Sequence, residues 1–245
     1  MVAPVDEDRG RPWDRMNWRR LMMSAEVRES PHPLVARTAA HIREKMTGDS
    51  SGHDWWHIHR VWRMARRLAI EEQADLLIVE LAALLHDIAD WKFHNGDLEE
   101  GPRQARTWLE SLQAPPEVTH AVVGIVARVS FKGAGVADEM PSLEGKIVQD
   151  ADRLDAIGAV GIGRAFAYGG HAGRLMYDPD NPPEWHDSAE AYRSRSGPTL
   201  NHFYEKLFLL KERMHTAAAK RIATERHALM EVYVQRFLSE WNGDA

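Results

Sequence analysis

The sequence predicts an all-α fold, and three observations carry the prediction. From Pro33 onward apolar residues recur at intervals of three and four, and the period-two alternation of strands is almost missing. Several prolines and glycines also stand where helices start or stop.

The elements follow in order. Leu34, Thr38 and Ile42 begin one helix, and His57, Val61, Met64 and Leu68 form one face of the next. A third is expected from about Asp75 to Asp90. Pro102 to Leu112 and Pro116 to Val129 each open with proline, which a helix tolerates in its first turn. Leu143 to Leu154 reads as another helix, followed from Gly158 by a glycine-rich but apolar helix to Tyr168 that Gly169-Gly170 should end. The stretch from Gly170 to Thr199 is rich in glycine, proline and charge. It is expected to be a long surface loop, with a short helix near Ser188 to Arg193, and long loops in compact domains often cover sites. Leu200 to Lys211 and Thr216 to Trp241 close the chain as helices, the last one long enough to pair with a second copy in a homodimer or, equally, to pack on the core. Residues 1–30 are polar and broken by Pro4, Gly10 and Pro12, so they read as a flexible or loosely docked extension. Trp13, Trp18, Leu21, Met22 and Met23 would suit a short amphipathic segment there.

Bulk properties narrow the function. At 245 residues, with 44% hydrophobic and 28% charged side chains, the chain can bury a sizeable core and shows no composition break that would split it. A formal net charge of -6 argues against broad binding to a nucleic-acid backbone. Cysteine is absent, which excludes disulfides, thiolate metal sites and cysteine nucleophiles, so any metal must be held by nitrogen and oxygen. The apolar stretch from Leu76 to Ile88 is interrupted by Glu80 and falls short of the ~20 residues that span a bilayer. No secretory signal is visible near Met1, and the expected location is cytoplasmic.

The most informative segment is Leu84-Leu85-His86-Asp87-Ile88-Ala89-Asp90, which sets an imidazole and a carboxylate side by side at the end of an apolar run. Burying that pair uncompensated would cost several kcal/mol, and a divalent cation supplies the compensation. His57, on an inward helix face, and Asp152, in Asp150-Ala151-Asp152-Arg153-Leu154-Asp155, complete a set of two imidazoles and two carboxylates. Such a set suits a first-row divalent ion acting on phosphate esters. Asp150, Asp152 and Asp155 lie within two turns and would repel unless cations, or Arg153 and Lys146, neutralise them.

The pattern His57-x-x-Arg60-Val61, then His86-Asp87, then Ala151-Asp152-Arg153-Leu154 resembles the HD-domain metal-dependent phosphohydrolase superfamily in order and spacing. The surrounding phrases, including Gly52-His53-Asp54-Trp55-Trp56-His57 and Ser130-Phe131-Lys132-Gly133, are similar to bacterial HD hydrolases related to nucleoside triphosphate pyrophosphohydrolases. The resemblance implies an HD-type helical hydrolase domain over residues 31–245, with a helical core and additional C-terminal helices. It implies His57, His86, Asp87 and Asp152 around one ion, with positions left for water and a phosphate oxygen.

Mn2+ or Mg2+ suits a phosphate substrate, while two histidines also admit Ni2+, Co2+, Fe2+ or Zn2+. Asp90 is the candidate general base or water-positioning residue. Lys92, His94, Lys132 and Arg153 are candidate phosphate clamps, and His53 could bind phosphate or orient His57. His59 is expected to face solvent, and Trp55 and Trp56 to pack.

The expected reaction is hydrolysis of a (deoxy)nucleoside triphosphate to monophosphate and pyrophosphate. A nucleoside monophosphate phosphatase, another phosphomonoesterase or phosphodiesterase, a guanosine tetraphosphate hydrolase and a noncatalytic nucleotide-binding module are the alternatives. His53-Asp54-x-x-His57 is also reminiscent of zinc proteases, but it has Asp where they have Glu and lacks a third ligand at the usual spacing.

Overall fold

The computed structural model describes residues 32–46, 54–89, 99–129, 140–184 and 197–244. Among them are helices and connecting turns, and no strand. In chain order these are α1 (Pro33–Lys45), α2 (Trp55–Glu71), α3 (Leu76–Leu85), α4 (Glu100–Ser111), α5 (Pro116–Val126), α6 (Leu143–Asp155), α7 (Gly158–His171), α8 (Asn201–Glu205), a 3-10 helix (Leu207–Arg213) and α9 (Ala217–Asn242). The expected extension at residues 1–30 and the short helix near Ser188 lie outside the described residues.

Helix α3 is the centre. Every residue from Val79 to Leu85 is buried, because a helix that is apolar all round can satisfy itself only when surrounded. It packs against α1, α2, α5 and α6. Glu80 is the polar exception in this run, and its carboxylate accepts from Trp62 Nε1 at 3.1 Å and Arg66 at 2.8 Å. Asp75 caps the helix by accepting from the Leu77 and Ile78 amides.

Helix α2 is amphipathic instead, burying His57, Ile58, Val61, Trp62, Ala65, Leu68 and Ala69 against α3 and α6. Asp54 caps it, accepting from the His57 amide at 2.9 Å, an interaction worth about 1 kcal/mol. The remaining side is built on α9, whose 26 residues extend about 39 Å. It lies on α6, α7 and the 3-10 helix, and Phe166, Phe203, Tyr233 and Phe237 fill the joint between α7, α8 and α9. It ends at Gly243, whose φ of 77° is the left-handed conformation that stops helices.

Three boundaries differ from the sequence expectation. The third helix stops at Leu85 and not at Asp90, and residues 86–89 form a turn. Gly169 and Gly170 do not end α7, which runs to His171. A Cβ at Gly169 would stand 2.0 Å from Thr199 Oγ1, so this glycine serves a close helix-to-loop approach. Leu200 to Lys211 is not one helix: Lys206, at φ -143° and ψ -56°, breaks it into α8 and the 3-10 helix. No described helix is long and apolar enough to cross a membrane.

Candidate metal centre

Three helices deliver the centre. His57 is the third residue of α2, fixed in the first turn by the Asp54 cap and aimed inward with Val61 and Ala65. Asp152 sits near the end of α6. His86 and Asp87 follow the last residue of α3, and the turn there has a local cause. The His86 Nδ1 donates to the Ala83 carbonyl at 2.8 Å, an oxygen that a continuing helix would offer to the Asp87 amide. His86 itself keeps helical backbone angles, and its side chain and that of Asp87 come within 3.6 Å of each other.

His57 Nε2 lies 3.3 Å from His86 Nε2, 3.4 Å from Asp87 Oδ2 and 3.6 Å from Asp152 Oδ1. His86 Nε2 lies 3.6 Å from Asp87 Oδ2 and 3.9 Å from Asp152 Oδ1. An ion placed within the His57–His86–Asp87 triangle would stand about 2.0 Å from each atom, which is a first-row metal-ligand distance. The two imidazoles are 2% exposed, Asp87 15% and Asp152 32%, so the nitrogens form a dry floor and the carboxylates stand at the open side.

Tautomers support a cation here. The Ala83 carbonyl and the Asp155 carboxylate can only accept, so His86 and His57 each carry a proton on Nδ1. In their neutral forms both then direct an Nε2 lone pair at the other across 3.3 Å, with two carboxylates beside them. A divalent cation removes that repulsion. In its absence a proton does part of the same work. Burial opposes the His57 cation, but hydrogen bonds to Asp155 and Asp87 outweigh it and raise the imidazole to about 9.

Behind His57 stands Asp155, which is 5% exposed. It accepts from His57 Nδ1 at 2.8 Å, from Arg60 at 2.7 and 3.0 Å, and from Arg164 at 2.6 Å. Burial would raise its pKa, yet the bonds from His57 and Arg60, with the charge of Arg164, hold the carboxyl well below the usual carboxylate range. The three acids of α6 thus face three surroundings. Asp152 faces the histidines and Asp155 the arginines. Asp150 accepts from the His215 and Thr216 amides and the Thr216 hydroxyl at 2.8–2.9 Å, at the start of α9.

The four residues expected as metal ligands are therefore brought together. Arg153, expected as a phosphate clamp, is buried, with its guanidinium on the Arg213 carbonyl and 3.1 Å from His215 Nε2, so it ties the 3-10 helix to α6. His59 is half-buried among Trp55, Trp56 and Trp62 and does not simply face solvent. Trp55 packs against the core as expected, whereas Trp56 is 59% exposed. Asp90, His53, Lys92, His94 and Lys132 lie outside the described residues. Sequence reasoning missed Asp155 as the partner of His57, and Arg60 and Arg164 as the partners of Asp155. One signal was available, since Asp155 stands one turn after Asp152 and Arg60 one turn after His57, each beside a ligand on its own helix.

Comparison with known proteins gives the family. The HD domain family model matches residues 55–157, the span that holds all four residues. The uncharacterized protein YpgQ of Bacillus subtilis (strain 168) is 40% identical over 196 residues, covering 80% of this chain and 87% of that protein. The crystal structure of YpgQ in complex with ADP superposes with a TM-score of 0.66 at 35% identity, over 84% of this chain and 100% of that one. A Lactobacillus plantarum protein reaches a TM-score of 0.78 at 39% identity, covering 88% of this chain and 100% of that one. An HD-superfamily hydrolase from Bacillus thuringiensis is 45% identical, with a TM-score of 0.67 over 85% and 96% of the two chains. With the family model and these relatives spanning the helices that carry His57, His86, Asp87 and Asp152, the chain belongs to the HD-domain phosphohydrolase superfamily.

Proposed function

We propose that the protein hydrolyses a (deoxy)nucleoside triphosphate to the monophosphate and pyrophosphate, using one divalent ion, Mn2+ or Mg2+, held by His57, His86, Asp87 and Asp152. The observation that carries the reading is the approach of two buried Nε2 atoms to 3.3 Å of each other, with Asp87 at 3.4 and 3.6 Å and Asp152 at 3.6 and 3.9 Å from them. A bound ion would supply Lewis-acid polarisation of a phosphate oxygen and a more acidic attacking water.

The chain's own residues set the rest. Two carboxylates and two neutral imidazoles balance a divalent charge, so a polyanionic substrate meets no net repulsion. The dry imidazole floor confines substrate to the side of Asp152, the most exposed of the four. Asp90 is assigned from the sequence as general base or water-positioning residue, and Lys92, His94, Lys132 and His53 as donors to the phosphate oxygens. That YpgQ was crystallised with ADP supports a nucleotide as the substrate class.

The test is a panel of nucleoside tri-, di- and monophosphates with Mn2+, Mg2+, Co2+, Ni2+ and Zn2+, with pyrophosphate and orthophosphate measured separately. Pyrophosphate from triphosphates is the expected result. Orthophosphate from monophosphates alone would make the protein a nucleotidase, and tight nucleotide binding without product would make it a sensor.

A further inference from the structure

We propose that Asp155, clamped by Arg60 and Arg164, is a positioning residue that locks His57 in its Nδ1-protonated tautomer and thereby sets the affinity of the metal centre. The inference rests on the metal reading above and extends it to residues that do not touch the ion.

Its first support is geometric. His57 has two ring nitrogens and can serve an ion at Nε2 only while the proton stays on Nδ1. In the buried position it occupies, Nδ1–H donates to the Asp155 carboxylate at 2.8 Å, which holds the proton there. A buried imidazole without such an acceptor would be free to carry its proton on Nε2, pointing into the site.

The second support is the way Asp155 is itself held. Arg60 grips it in a fork, Nε on one oxygen at 2.7 Å and a terminal nitrogen on the other at 3.0 Å, while Arg164 adds a bond of 2.6 Å. A carboxylate bound by two guanidiniums and one imidazole has little rotational freedom, so the ring it holds has little either. The two arginines come from different helices, α2 and α7, and both meet the last residue of α6. The chain thus commits three of its helices to one side chain that faces the back of a ligand.

The third support is charge. One arginine would neutralise Asp155, and the second leaves the group with net positive charge behind His57. Asp155 can therefore orient the ring without adding another negative charge to the two carboxylates that face the ion. Asp155 to His57 is the inner link, and Arg60 and Arg164, partly exposed at 36% and 24%, are the outer one.

The experiment compares Asp155→Asn, Asp155→Glu, Arg60→Gln and Arg164→Gln with the parent protein. The readouts are Mn2+ dissociation constants by electron paramagnetic resonance, and the His57 ring tautomer by 15N NMR of the Mg2+-bound form. Asp155→Asn is expected to bind Mn2+ roughly 10- to 100-fold more weakly, with His57 losing its single tautomer and Asp155→Glu restoring part of the affinity. Hydrolysis should recover at saturating metal, since no ligand is removed.

A folded Asp155→Asn protein with parental Mn2+ affinity and an unchanged tautomer would overturn the proposal. If Asp155→Asn does not fold, Arg60→Gln and Arg164→Gln decide: weaker Mn2+ binding supports it, and parental affinity in both overturns it. Failure of the parent protein itself to bind Mn2+ would instead sink the metal reading, so the two failures are distinct.

Discussion

Removing the metal should make this protein lose stability as pH rises, opposite to the behaviour of the loaded form. The perturbation is chelation followed by a shift from pH 7 to pH 9. In the metal-free fold the bonds to Asp155 and Asp87 overcome burial and raise His57 from 6.5 to about 9. A raised histidine contributes stability that is fully present below its unfolded pKa and lost as pH climbs through the folded one. Between pH 7 and pH 9 the loss comes to about 2 kcal/mol, with no reduction for solvent screening because the imidazole is 2% exposed. For a chain of this size that is a fall in Tm of roughly 4–8 °C.

The same contact holds Asp155 down, so its depression is the other half of one coupling and is not added. Asp155 titrates far below this window in either state. His41 and His59 are lowered by burial first and then by neighbouring cations, and above pH 7 they are neutral folded or unfolded. Mn2+ requires the neutral Nε2, so binding at pH 7 should displace about one proton, and affinity should rise close to tenfold per pH unit up to about 9. Calorimetry in EDTA and in Mn2+ from pH 7 to 9 measures the first effect. Titration of Mn2+ in buffers of different ionisation enthalpy measures the second. A metal-free Tm that is flat or rising over this range, with no proton released, would refute the account of His57.

Other outcomes follow from the same geometry. His86→Ala or Asp87→Ala should abolish metal-dependent hydrolysis while far-ultraviolet circular dichroism keeps its helical shape, because both residues lie beyond the end of α3. Asp90→Asn should lower turnover while leaving the Mn2+ dissociation constant near that of the parent, and unchanged turnover would place the base elsewhere. Asp150→Ala strips acceptors from the His215 and Thr216 amides and the Thr216 hydroxyl. It should cost on the order of 3 kcal/mol in denaturant unfolding, with the metal ligands still in place.

The fold class was legible because helical periodicity is a local property. Residues three and four apart must share a face whatever they pack against, so α2, α5 and α6 could be anticipated from spacing alone. The meeting of His57, His86, Asp87 and Asp152 was legible for a related reason, since imidazoles and carboxylates on apolar faces need compensation wherever they end up. Boundaries set by a single side-chain contact, local or tertiary, were not. The end of α3 depends on the His86 ring reaching the Ala83 carbonyl, and the continuation of α7 through Gly169 on the proximity of Thr199. Nor was the partner of Arg153, a 3-10 helix carbonyl 60 residues away.

By itself, then, the sequence determined which side chains were chemically out of place in an apolar helical protein, and so which four to look for at one point. Only the tertiary structure decided how they are oriented. Asp155 reaches His57 across 98 residues and Arg60 across 95, contacts that exist only because α2 and α6 pack in one register. Periodicity tells which face of a helix turns inward, whereas the pairing of residues across two helices depends on how their ridges interlock, which no single segment encodes.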